Sequence, residues 1–314
     1  MPAIEASGLS KTFSTGRRKN RKDVAAVKGI SFSVESGERL AYIGPNGAGK
    51  STSIKMLTGI LYPSTGTASV LGYTPWTDRK ALVRHIGTLF GQRSQLWFQL
   101  TPRQTFALLA SMYGLGRKDA ASRVAELGEV LEATDLFDSP VRSLSLGQRM
   151  RCELAASMLH SPRVLFLDEP TIGLDLLAKQ RFRDVIVRLN EDLGTTVFLT
   201  SHDVSDIEHV ARRVIVINHG IIIYDDSVSR MRRSMLNTKL LEVRFEDEPG
   251  PLLVEGLTVV KKRGLGYKLS VDTEKHSIRE VLDELLENYS VADISVLDPP
   301  LEAVIGNIYE APRE

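Results

Sequence analysis

Two neighbouring carboxylates, Asp168 and Glu169, close an apolar run at 164–167 that reads as a buried strand. A metal-phosphate site needs an oxygen ligand and a base, and the end of a core strand is where both can be held. On its own, such a run more often marks a strand leaving the core for solvated loop. It does not stand alone. Gly44-Pro45-Asn46-Gly47-Ala48-Gly49-Lys50-Ser51-Thr52 contains a full G-x-x-x-x-G-K-S phosphate loop, between a strand expected at 40–43 and a helix expected over 52–61. Glycines let the backbone curl until successive N–H groups point at phosphate oxygens, and the helix adds its positive end. Lys50 would reach the β- and γ-phosphates, and the Ser51 hydroxyl would ligate magnesium.

Two further stretches carry chemistry. Ser145-Leu146-Gly147-Gln148 fits an S-x-x-Q capping box, so a helix is expected from Ser145 to about His160. A helix start gathers unpaired N–H groups and attracts anions. The Ser145 hydroxyl can cap its own helix and still donate to a phosphate oxygen. Farther on, an apolar run at 196–200 ends in Ser201-His202-Asp203, which puts an imidazole at the end of a core strand, where it can catalyse or sense. His85, His160, His209, His219 and His276 show no ligand spacing and read as surface or packing residues.

Positioning these groups takes a particular set of elements. A strand and turn are expected at 4–13, then the run Arg17, Arg18, Lys19, Asn20, Arg21, Lys22, which is an exposed loop or a contact for phosphate head groups or an acidic partner. Ile30, Phe32 and Val34 alternate with polar residues as a half-buried strand does. Between Lys50 and Asp168 lies more chain than one strand-helix-strand unit needs, and the excess reads as helical. Thr101-Pro102-Arg103-Gln104 is a cap with proline at the first helical position, and Val124, Leu127 and Leu131 mark another helix. Gln92 precedes an apolar cluster, Leu96, Trp97, Phe98 and Leu100, either a local core or a docking surface for a partner helix. A hairpin is expected at 214–224 and a linker helix at 227–237. Short alternating strands at 241–245, 257–261 and 267–271, a helix at 277–289, a strand at 294–297 and a last helix to Tyr309 then form a small α+β unit.

The bulk numbers exclude some partners. With 40 basic and 39 acidic residues, the net charge of +1 gives no overall pull toward nucleic acid or an anionic surface. A single cysteine, Cys152, rules out an internal disulfide and a cysteine-based metal site, and fits a reducing compartment. No secretory leader is expected, and no run approaches the roughly 18 to 20 apolar residues of a membrane span. Another chain would have to do any spanning.

The phosphate loop, Gln92, LSLGQ at 144–148, LFLDEP at 165–170, TIGLD at 171–175 and TSHD at 200–203, in that order, resemble the ATP-binding subunits of ABC transporters. GPNGAGKST, FGQRSQLW, SLSLGQRMR and LFLDEPTIGLD are most similar to bacterial type 2 ABC exporters of the drug-resistance and viologen-exporter kind. The resemblance implies an α/β P-loop NTPase core of the ABC ATPase type over residues 1–235. That core has an antiparallel β subdomain and an inserted helical subdomain at about 97–160, and a C-terminal accessory α+β domain follows at 236–314.

The resemblance also implies an ATPase that uses ATP and Mg2+. Asp168, Ser51 and Gln92 hold the magnesium, Glu169 polarises the attacking water, His202 contacts the γ-phosphate and orients Glu169, and Phe13 stacks on adenine. Gly44 to Thr52 cradle the phosphates. Ser145, Gly147 and Gln148 serve ATP held on the opposite subunit, and Asp175 links the two sites. Partners would be permease subunits in separate chains and a second ATP-binding subunit, at the cytoplasmic face of the cell membrane, with no nucleic acid. The alternative is a soluble ABC ATPase of DNA repair or translation, or a nucleotide-dependent binding protein. The former kinds carry a long coiled-coil insertion or two cassettes, and this chain has neither. One position departs from the family: Leu146 stands where glycine is usual. The capping box places it in a first helical turn with ordinary φ, so no loss of function is expected.

Overall fold

The computed structural model describes residues 2–15, 22–91, 94–233, 238–299, 301, 305, 306 and 308. The chain divides into two compact units, Met1–Asp226 and Ser227–Glu314.

In the first unit, β1 (Pro2–Thr15), β2 (Lys22–Glu35) and, beyond β3 (Arg39–Ile43) and α1 (Lys50–Leu57), β4 (Thr65–Val70) make an antiparallel sheet of order β2-β1-β4. Ile30, Phe32 and Val34 of β2 are buried between exposed neighbours, as their alternation predicts. Next come α2 (Arg79–Leu82), β5 (Ile86–Phe90), α3 (Pro102–Tyr113), α4 (Arg117–Val130) and α5 (Leu146–Met158). The unit closes with β6 (Val164–Asp168), α6 (Leu176–Leu193), β7 (Thr196–Ser201), α7 (Val204–Val210), β8 (Arg213–Asn218) and β9 (Ile221–Ser227).

A six-stranded sheet of order β5-β6-β7-β3-β8-β9 forms the centre, with its first five strands parallel. Both faces are covered, which is why its strands read as continuous apolar runs rather than alternating ones. Phe166 and Phe198 pack toward β1, β2 and α1, whereas Leu165, Leu167, Val197 and Leu199 pack toward the helices α3 to α6. Cys152 lies in that helical core, and burial pushes its thiol up to about 12.

Both capping boxes form. The Thr101 side chain accepts from the Gln104 N–H while the Gln104 side chain accepts from the Thr101 N–H, and Ser145 and Gln148 do the same at α5. Two helix boundaries differ from expectation. Helix α1 starts at Lys50 rather than Thr52, because Gly49 turns the chain immediately before it with φ 112°. It stops at Leu57 rather than at 61, where the Thr58 hydroxyl folds back to the Ile54 carbonyl and Gly59 adopts φ 70°. Helix α5 ends at Met158, two residues short of His160.

The second unit contains α8 (Val228–Arg233), β10 (Thr238–Phe245), β11 (Leu257–Arg263), β12 (Gly266–Asp272), α9 (Ile278–Asn288) and β13 (Val291–Leu297). Its four strands pair in the order β11-β12-β10-β13. Leu241, Val243, Phe245, Leu269 and Val271 face Val281 and Leu285 of α9 in a core of their own. The linker helix expected to 237 is described only to Arg233, and most of the last helix expected to Tyr309 falls outside the described residues, as does the basic run 17–21; Lys22 begins β2. Among the described residues no helix is long and apolar enough to cross a membrane.

Candidate functional site

The parallel sheet delivers its chemistry at the C-terminal ends of three neighbouring strands, the usual place for a ligand in such sheets. Strand β3 leads into the phosphate loop, β6 ends in Asp168, and β7 ends one residue before His202. Gly49 is left-handed, and a Cβ there would meet the Ala26 carbonyl oxygen of β2 at 2.6 Å, so the loop lies against that strand without room for a side chain. As the N-cap of α1, Gly49 offers no capping side chain, and the first-turn N–H groups of Lys50, Ser51 and Thr52 remain suited to an anion.

Lys50 is 7% exposed; its Nζ donates to the Gly44 carbonyl at 2.6 Å and the Pro45 carbonyl at 3.4 Å, and lies 3.4 Å from Glu169 Oε1. Ser51 Oγ donates to Asp168 Oδ1 at 3.2 Å. Two hard oxygen donors this close suit a hard cation such as Mg2+, which usually takes one or two carboxylates and completes its shell with substrate phosphate. Among the described residues no cluster of three or more His, Cys, Asp or Glu could hold a metal unaided. Gln92, the other expected magnesium ligand, lies outside the described residues.

Glu169 Oε2 is 2.7 Å from His202 Nδ1. Its backbone has φ 52°, a left-handed conformation unusual for a side-chain-bearing residue and typical of residues held by their surroundings at functional sites. Thr200, paired with Asp168 across β6 and β7, supplies much of that hold. Its hydroxyl donates to Asp168 Oδ1 at 2.7 Å and accepts from the Glu169 N–H at 3.1 Å, so one side chain sets both acids. Beneath them lies the fully buried Asp206, which accepts from Thr171 Oγ1, Ser201 Oγ and Arg183 Nε at 2.6, 2.7 and 2.6 Å. It ties the turn after Glu169, the strand end before His202, and α6 into one frame. Burial pushes the neighbouring Asp203 carboxyl up, but its bond from Lys179 Nζ at 2.6 Å and the nearby Arg183 guanidinium outweigh this and hold it below the ordinary carboxylate value. Thr200, Asp206 and Lys179 escaped the sequence pattern, because their roles depend on register and tertiary contact.

A second group assembles at α5. Ser145, Gly147 and Gln148 lie at its start, and Leu146 has no positive φ, as the capping box required. A Cβ on Gly147 would meet the Ala178 Cβ at 2.8 Å, so α5 begins hard against α6. Asp175 N-caps α6 through Oδ1, which accepts from the Ala178 N–H at 2.8 Å. Ser145 hydrogen-bonds to Gln148 of its own helix: its N–H donates to Gln148 Oε1 and its Oγ accepts from the Gln148 N–H. Phe13, 36% exposed on β1, pairs with Val24 of β2, two residues before the Ala26 that abuts Gly49. Lys11 Nζ sits 5.4 Å from its ring centroid.

Such an arrangement can bind a nucleoside triphosphate through N–H groups and a lysine, and set a carboxylate beside an imidazole at the terminal phosphate. Comparison with known proteins agrees with the chemistry. The family model described as ABC transporter matches residues 27–172. The chain is 33% identical to the daunorubicin/doxorubicin resistance ATP-binding protein DrrA of Streptomyces peucetius, over 90% of this chain and 81% of that protein. It is also 33% identical to ABC transporter A family member 1 of Dictyostelium discoideum, over 68% of this chain and only 24% of that longer protein. A solved structure of cbiO1 from Clostridium perfringens, described as part of the ABC transporter complex cbiONQ, superposes with a TM-score of 0.64 at 25% identity. That match covers 74% of this chain and 94% of the other. With the phosphate loop, the acid pair and the histidine gathered at the strand ends, and a relative 33% identical over nine-tenths of this chain, the chain belongs to the ATP-binding subunits of ABC transporters, ATPases that dimerise and work with transmembrane subunits.

Proposed function

We propose that this subunit powers export, through a permease in a separate chain at the cytoplasmic face of the membrane, and that two ATP-binding subunits sandwich two ATP molecules head to tail. The likeness to a daunorubicin/doxorubicin resistance protein supports export of amphipathic, drug-like molecules. In this reading Phe13 stacks on adenine, the phosphate loop with Lys50 binds the β- and γ-phosphates, and Ser51, Asp168 and Gln92 hold Mg2+. When bound, the ion neutralises charge developing on the transferred phosphoryl group. Thr200 keeps the Asp168 carboxylate turned toward Ser51. Glu169 polarises the attacking water, while His202 keeps Glu169 oriented and contacts the γ-phosphate. Ser145, Gly147 and Gln148 complete the site of the opposite subunit, and Asp175 lies between the two sites. The half-exposed Trp97 and Phe98, on the loop that follows Gln92, are the surface offered to the permease.

The observation that carries this reading is the run Lys50–Glu169–His202, with contacts of 3.4 and 2.7 Å across the ends of neighbouring strands. Glu169→Gln is expected to leave ATP affinity intact, lower turnover by about a hundredfold or more, and accumulate an ATP-bound dimer visible by light scattering. Hydrolysis at the wild-type rate in that variant would remove Glu169 from the role. Isolation of the tagged chain from detergent-solubilised membranes should bring down a polytopic permease.

A further inference from the structure

One buried acid has no part in the site just described. Glu153 sits in the middle of α5 and is 2% exposed. Its carboxylate forms no salt bridge among the described residues and is spent on one loop: Oε1 accepts from Ser94 Oγ, and Oε2 accepts from the Gln95 N–H at 2.9 Å. Burial pushes Glu153 above the ordinary carboxylate value, so an ionised acid there is a costly way to fill space. A leucine would suit the surrounding apolar core better. What the carboxylate adds is direction, because its oxygens fix the loop relative to the helix.

The same loop is fastened at several other points. Gln95 Nε2 donates to the Thr88 carbonyl of β5 at 2.8 Å, and Leu96, 4% exposed, is sunk in the helical core. Past it, the Arg142 N–H donates to the Phe98 carbonyl at 3.3 Å and the Val141 N–H to the Leu100 carbonyl at 3.0 Å, while the Arg149 guanidinium lies 5.5 Å from the Phe98 ring centroid. Trp97 and Phe98 are nonetheless 47% and 51% exposed. An exposed aromatic pair is thus mounted on a plinth whose other side is the helix that begins at Ser145.

We propose that Glu153 is a positioning residue, a buried latch that joins the Ser94–Phe98 loop to α5 so that displacement of the loop is delivered to Ser145 and Gly147 at the helix start. This rests on the reading that the start of α5 grips ATP held by the partner subunit. Permease contact at Trp97 and Phe98 then changes the affinity of one subunit for the other without touching either nucleotide.

The test uses the full chain with Ser94→Ala, which removes one donor from the loop, and Glu153→Gln, which removes the charge. Hydrogen exchange of each variant, without nucleotide, should show faster exchange at both 94–100 and 144–150, with the sheet unchanged. In a Glu169→Gln background, both should weaken ATP-driven dimerisation by about tenfold, a coupling size typical of residues that link sites without contacting ligand. Affinity of the monomer for a fluorescent ATP analogue should stay the same. Loosening confined to 94–100, or a dimer as tight as the Glu169→Gln parent, overturns the latch. So does a general fall in melting temperature accompanied by loss of monomer nucleotide affinity, the signature of mere structural support. Should Glu169→Gln alone form no ATP-bound dimer, the two-subunit reading fails, and hydrogen exchange still decides whether Glu153 joins loop to helix.

Discussion

At the scale of single residues, Thr200 shows what a sequence pattern conceals. In the run 196–200 its hydroxyl looks like one more β-branched strand former, and only the pairing of Asp168 with Thr200 turns it into the donor that aims an acid. Thr200→Val keeps the shape and removes that bond, leaving Asp168 Oδ1 to its longer bond from Ser51 Oγ and the Glu169 N–H to the Thr200 backbone carbonyl. We expect a loss of about 1 to 2 kcal/mol in stability and a several-fold rise in the magnesium concentration needed for half-maximal ATPase; unchanged magnesium dependence in a steady-state titration would contradict it. By contrast Asp168, Glu169, Lys50 and Ser51 were legible, because the phosphate loop and the acid pair are contiguous in the chain. The left-handed φ of Glu169 was not, since nothing in LFLDEP foretells that a glutamate takes a conformation glycine prefers.

At the scale of elements, the sequence displays its local signals and hides its tertiary ones. The capping boxes at Thr101 and Ser145 need only four residues each, so the starts of α3 and α5 were plain. Where α1 stops depends on the close approach of Gly59 to Pro75, whose carbonyl oxygen would lie 2.1 Å from an added Cβ, and no window of sequence contains that contact. The tie between α6 and α7 was equally hidden, and it makes a pH prediction. Lys179 and Arg183 hold Asp203 below its ordinary value, which in an unfolded chain is near 3.8. A carboxyl depressed in the folded state stabilises it above the unfolded value, and that contribution is lost as pH falls toward the folded one. Lys179→Met lets the folded value rise, so the acid unfolding midpoint should move to higher pH in a circular dichroism titration. A midpoint at or below that of the wild type would count against the tie.

At the scale of the whole molecule, every described residue assigned to nucleotide lies within Met1–Asp226, while Ser227–Glu314 keeps a separate apolar core. Nucleotide should therefore stabilise one unit by mass action. At a hundredfold excess over Kd the gain is about 2.7 kcal/mol, or about 5 to 10 °C for a unit of this size. Calorimetry of Glu169→Gln with ATP and Mg2+ should show one transition raised by that amount and a second, from the C-terminal unit, left in place. A single transition moving as a whole would mean that the units melt together.

The order of the central sheet bears on how the protein is made. Strand β3, which carries the phosphate loop, has as its neighbours β7 and β8, both from the far end of the first unit. During synthesis it emerges early and waits. At roughly 5 to 20 residues per second the ribosome needs on the order of ten to thirty seconds to travel from Ile43 to Arg213. Throughout that interval an apolar strand with both edges unpaired stands ready to join the wrong partner, and a chaperone that shields residues 39–43 would have its moment then.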